Sequence, residues 1–142
     1  MILLDGEHLT FNEIERVAKG EKVGLTERAC NRIERAREEI EKILSSGKPV
    51  YGVNTGVGEL VKVKIPEEQL EKLQVNIVRS HAVGVGPPLN NEIVRKIMLL
   101  RANTLARGYS GVRKEVVDLL LEFLNREITP VVPEKGSVGA SG

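Results

Sequence analysis

The sequence predicts a mainly α-helical chain, in which an N-terminal mixed helical region with short strands leads into the first long helices of a central helical bundle. Three observations carry that prediction. Apolar residues at Ala29, Ile33, Ala36, Ile40, Ile43 and Leu44 recur at the spacing of one helix face. Two segments after Asn90 are apolar on more than one face, as helices inside a bundle are. Helix start and stop signals bracket the early segments, with Thr10 and Thr26 opening them and Gly20 and Gly47 closing them.

Taken in order, Ile2-Leu3-Leu4 predicts a short strand. Thr10-Phe11-Asn12-Glu13 reads as a capping box, because Glu13 can reach back to the amide of the cap residue, and the helix it opens stops near Gly20. Thr26 caps the long helix that ends at Gly47, with charged residues covering its outer face. Cys30 borders the apolar stripe and reads as a small packed side chain, not a reactive thiol. Val50 to Val53 predicts an extended segment entering a loop at Asn54-Thr55-Gly56. Val61 to Ile65 alternates like a strand, although the neighbouring glycines fit a loop as well.

Pro66 suits the first turn of a helix with Leu70, Leu73 and Ile77 on one face, ending near His81. Gly84 to Pro88 then predicts a loop. Ile93, Val94, Ile97, Met98, Leu99, Leu100, Ala102, Leu105 and Ala106 mark a largely buried helix, and a second runs from Val112 to about Asn125. Two short helices this apolar cannot bury each other completely, so they predict a larger bundle completed by further chain or partner subunits. The organisation expected is residues 1–88 as an N-terminal region with a Gly-rich loop and the His81 loop, and 89–142 as the first bundle helices with the terminal Gly-punctuated segment.

Lys and Arg total 21 against 20 Asp and Glu, a net charge of +1. No global field of that size recruits nucleic acid or an anionic membrane, and 3% aromatic content argues against a base-stacking surface. A single cysteine, no leader-like apolar run and no bilayer-length apolar stretch favour a cytoplasmic protein. Gly56-Val57-Gly58-Glu59-Leu60-Val61 lacks the third glycine of a dinucleotide fingerprint, and the chain has no Gly-Lys-Ser or Gly-Lys-Thr. His8, Cys30 and His81 have no metal-ligand spacing. No metal and no nucleotide is expected.

Ala140-Ser141-Gly142 carries chemistry that no single side chain supplies. Gly142 lacks a Cβ, so its amide nitrogen can approach the Ala140 carbonyl carbon and close a five-membered ring. Loss of two waters, one drawing on the Ser141 hydroxyl, leaves a methylidene-imidazolone, an electrophile made from the protein itself. Gly136 and Gly139 permit the compressed turn that this closure needs.

Three other segments accompany that run, Pro133 to Gly142: Tyr51-Gly52-Val53-Asn54-Thr55-Gly56-Val57-Gly58, Ser80-His81-Ala82-Val83-Gly84-Val85-Gly86 and Arg107-Gly108-Tyr109-Ser110-Gly111-Val112-Arg113. Their order and wording resemble the aromatic amino acid ammonia-lyases, along essentially the whole chain. Within that family the Ser80-His81 pair and the final run are most similar to the members acting on histidine. Val57 stands where family members often carry an aromatic residue. Family enzymes are several times longer, so the resemblance implies the N-terminal part of a longer polypeptide.

The resemblance implies elimination of ammonia from L-histidine to give urocanate, on a prosthetic group formed from Ala140, Ser141 and Gly142, in a homotetramer. Tyr51 is then the candidate base. A phenol, with an ordinary pKa of about 10, accepts a proton usefully only where its surroundings stabilise the phenolate, and amides of the glycines after it can contribute. His81 becomes the residue facing the substrate ring, because an imidazole can hydrogen-bond another imidazole. Gly58, in a loop that covers the substrate, is a candidate substrate contact. His8 lies outside every motif and is expected to be exposed. The rival readings are a phenylalanine or tyrosine ammonia-lyase or aminomutase, and a non-catalytic helical assembly module of the same fold.

Overall fold

Thr10 and Glu13 form the capping box expected of them: the Thr10 hydroxyl accepts the Glu13 amide at 3.3 Å, and the Glu13 carboxylate accepts the Thr10 amide at 2.9 Å. In a computed structural model describing residues 1–56, 58, 62 and 65–137, this box opens α1 (Phe11–Ala18). The expected strand is β1 (Ile2–Leu4), paired in parallel with β2 (Val23–Leu25) in the register Ile2 to Val23 and Leu4 to Leu25. β2 is unannounced by local sequence. Its three residues become a strand because Asn125 accepts the Val23 amide and donates to the Val23 carbonyl, both at 2.8 Å.

Thr26 accepts the Ala29 amide at 3.2 Å and opens α2 (Glu27–Ser46), which closes at Gly47 with φ 65. After it come α3 (Glu67–His81), β3 (Gly84–Pro88), α4 (Asn91–Leu105), α5 (Lys114–Asn125) and β4 (Pro133–Gly136). Pro66 sits one position before α3, at its cap, and Leu70, Leu73 and Ile77 are half-buried as their spacing predicts.

Two expectations are corrected. Val50 to Val53 is a turn and not an extended segment, because the Val53 and Asn54 amides both donate back to the Val50 carbonyl. Gly84 to Pro88 is a strand paired with β4 and not a loop. The alternating run Val61 to Ile65 falls mostly outside the described residues.

The chain divides into two compact units, residues 1–39 with 88–132, and 40–87 with 133–142. The first holds the apolar core, where Leu4, Val17, Val23, Ile33, Val94, Leu99, Val117 and Leu124 are almost fully buried. Into that core α4 also carries Arg95, which donates to the Val17 carbonyl at 2.8 Å and the Ala18 carbonyl at 2.9 Å. It thereby adds donors to the last carbonyls of α1, where the Val17 carbonyl also accepts the Gly20 amide at 3.0 Å. The outer face of α4 remains exposed at Ile93, Ile97 and Leu100, so in this chain the helix is buried on one side only.

The second unit is built differently. Among its described residues the buried ones are Asn54, Thr55 and Gly56, and polar bonding rather than apolar packing organises the loop. No helix among the described residues is long and apolar enough to cross a membrane.

Candidate active site

Tyr51, Gly58 and His81 all belong to the second unit. The loop bearing the first two is organised by Asn54, whose buried amide reproduces backbone bonding: Oδ1 accepts the Val50 amide and Nδ2 donates to the Lys48 carbonyl, each at 2.8 Å. The Asn54 carbonyl in turn accepts the Ile65 amide at 3.3 Å. Asparagine suits this because its short side chain mimics a peptide within a turn. Asn54 is the organising residue that sequence reasoning passed over, although its place before Thr55-Gly56 is the usual signal for a side-chain-closed turn.

That closure puts Tyr51 on the outside of the turn, exposed, with its phenol oxygen accepting the Gly58 amide at 3.2 Å. Gly58 has φ 60, a left-handed conformation that glycine adopts without steric cost. The amide donor anticipated from the following glycines is thus present, and it comes from Gly58.

His81 ends α3. Its Nδ1 lies 2.8 Å from the Ile77 carbonyl oxygen and 3.0 Å from the Ser80 hydroxyl, which itself donates to Ile77 at 2.9 Å. A carbonyl only accepts, so the ring must donate from Nδ1, and the neutral imidazole then offers Nε2 as an acceptor. The described bonds join Tyr51 to Gly58 but join neither to His81. Ala140, Ser141 and Gly142 lie outside the described residues.

Other reactive groups belong to the first unit. Cys30 is a free, half-buried thiol on the wall of an open hollow between β2 and α5. His8 is exposed, as expected, and its Nδ1 lies 2.6 Å from Asp5. The His8 ring, with the Glu7 and His8 amides, holds the Asp5 carboxyl well below the usual carboxylate range, and the same bond raises His8. Asp5, Glu7 and His8 bring possible ligand atoms within 4.8 Å of one another. Their existing pairings account for them, since His8 bonds Asp5 and Glu7 bonds Arg32 at 2.8 Å.

The profile of the family described as aromatic amino acid lyase matches residues 9–142. This chain belongs to that family. Among curated members of the aromatic amino acid lyases, it is 48% identical over 143 aligned positions to histidine ammonia-lyase of Shouchella clausii, covering all of this chain and 29% of that protein. It is likewise 48% identical over 142 positions to histidine ammonia-lyase of Caldanaerobacter subterraneus subsp. tengcongensis, covering 99% of this chain and 28% of that one. The chain therefore spans under a third of these relatives' length.

Solved family structures share the fold. The tyrosine aminomutase from Streptomyces globisporus matches with TM-score 0.90 at 39% identity, over 96% of this chain and 26% of that one. Histidine ammonia-lyase from Trypanosoma cruzi matches with TM-score 0.87 at 39% identity, over 96% of this chain and 27% of that one.

Proposed function

We propose that the full-length protein is a cytoplasmic histidine ammonia-lyase that eliminates ammonia from L-histidine to give urocanate. The similarity to relatives bearing that name, at 48% identity over the whole of this chain, is the observation that carries the proposal. The Ala140-Ser141-Gly142 sequence has the chemistry to form the methylidene-imidazolone, and Gly136 just before it lies so close to the Val83 carbonyl that an added Cβ would come within 2.9 Å of that oxygen. When formed, the group supplies an electrophile that makes the substrate amine a leaving group.

The chain's own residues do the rest. His81 presents Nε2 to a ring N–H of the substrate, because its Nδ1 hydrogen is committed to the Ile77 carbonyl. Tyr51 accepts the proton from the carbon next to the ring, and the Gly58 amide holds the phenol oxygen in place while it does so. Gly58 belongs to a loop that covers the bound substrate and excludes water. The assembly proposed is a homotetramer, in which the exposed apolar face of α4 is covered.

Ser141→Ala in the full-length polypeptide tests this reading. The wild type should be two waters lighter than its encoded mass and should turn over L-histidine, whereas the variant should have its encoded mass and no turnover. An active Ser141→Ala enzyme would sink the mechanism. The likeness to a tyrosine aminomutase favours one alternative, an aminomutase, which would convert its substrate to a β-amino acid without net release of ammonia. Uncyclised wild-type protein would instead identify a non-catalytic relative.

A further inference from the structure

The chain carrying Tyr51 makes a type II β-turn. The Val53 amide donates to the Val50 carbonyl at 3.0 Å, Gly52 takes φ 71, and Tyr51 before it keeps a negative φ. A Cβ on Gly52 would meet nothing within 4 Å, so glycine is needed there for backbone freedom and not for space. Tyr51 stands at the corner of the turn, exposed, with its phenol oxygen on the Gly58 amide.

A surface turn held by backbone bonds alone opens easily. This one is tied down by the Asn54 side chain, which is 4% exposed. Its Oδ1 accepts the Val50 amide and its Nδ2 donates to the Lys48 carbonyl, so it grips the chain at two points just before Tyr51. The Asn54 backbone is also engaged, its amide on the Val50 carbonyl and its carbonyl on the Ile65 amide, each at 3.3 Å. The buried Thr55 hydroxyl then donates to the Gly56 carbonyl at 2.9 Å. Both the entry to the turn and its exit towards Gly58 are thus fastened at one buried residue. An amide suits the task because it carries a donor and an acceptor on one short group, whereas a carboxylate has no donor.

We infer that Asn54 is a positioning residue for the proton acceptor: its amide holds the Tyr51 phenol where the Gly58 amide meets it. The inference rests on the proposed function. The described bonds of Asn54 run to backbone groups, so it acts through Tyr51. A turn that opens lets the phenol swing away from the substrate, and a displacement of about 1 Å can cost about a hundredfold in turnover.

The test combines Asn54→Ala with Tyr51→Phe in the full-length protein. It reads kcat and KM for L-histidine, and for L-histidine deuterated at the carbon next to the ring. Asn54→Ala should lower kcat about tenfold to a hundredfold and leave KM within about threefold. Its isotope effect on kcat should be no smaller than the wild type's, because proton removal is the step that slows. In the Tyr51→Phe background the same change should alter kcat less than about twofold, since no phenol is left to misplace. Asn54→Ser keeps an acceptor for the Val50 amide and should fall between wild type and Asn54→Ala; it carries the same comparison if the alanine variant does not fold. An unchanged kcat, an effect confined to KM, a smaller isotope effect, or equal losses in both backgrounds would overturn the inference. A Tyr51→Phe enzyme with the wild-type kcat, or a wild type that does not turn over L-histidine, would instead overturn the functional reading.

Discussion

At the scale of single residues, His81 is the side chain whose chemistry is most constrained. Its Nδ1 is committed to the Ile77 carbonyl, so only Nε2 is left to meet a ligand, and as an acceptor. His81→Leu should therefore lower kcat/KM for L-histidine by about fivefold to 150-fold, the range expected when a ring nitrogen is left unpaired against an apolar wall. Relative activity on L-phenylalanine, whose ring needs no such partner, should improve. Tyr51→Phe should depress turnover of both substrates, since it removes the proposed proton acceptor and leaves ring recognition nearly untouched. The check is kcat/KM for both amino acids in both variants. An unchanged histidine to phenylalanine ratio in His81→Leu would make that residue structural.

At the scale of elements, the short helix α1 depends on a residue far away in sequence. Its last carbonyls are held by Arg95 of α4, a buried cation whose described partners are backbone oxygens. Arg95→Met would keep much of the apolar stem but remove a donor from each carbonyl, leaving Val17 with the Gly20 amide alone, at a cost of about 1 to 3 kcal/mol. Arg95→Lys should not restore it, because one ammonium cannot reproduce the planar fork that spans the two oxygens. Urea titration of the full-length protein would measure the loss, and an Arg95→Lys midpoint equal to wild type would contradict this account. A periodicity count places position 95 on the helix but cannot foresee a charge in the core.

At the scale of the whole molecule, the exposed apolar residues Ile93, Ile97 and Leu100 on α4 and Val116 and Leu119 on α5 set an expectation for the complete protein. Stripes of this kind are covered in stable enzymes, and further chain and partner subunits are the proposed cover. Sedimentation of the full-length protein should give a tetramer, and a stable, active monomer would contradict it.

Local signals sufficed where the physics is local. The Thr10 capping box, the Thr26 start and Gly47 stop of α2, and the half-buried Leu70-Leu73-Ile77 stripe follow from neighbours within one or two turns of chain. The potential electrophile Ala140-Ser141-Gly142 is likewise written in adjacent residues. Tertiary structure alone decided that Val23 to Leu25 is a strand, because Asn125 lies 102 residues away from Val23, which it brackets. The turn at Val50 to Val53 is local as well, closed by the Asn54 side chain on Val50 and Lys48, four and six residues before it. Tertiary structure also decided that Gly84 to Pro88 is a strand. A glycine- and proline-rich segment has little β propensity of its own, and becomes one where Pro133 to Gly136 supplies the partner and two missing side chains leave room for it.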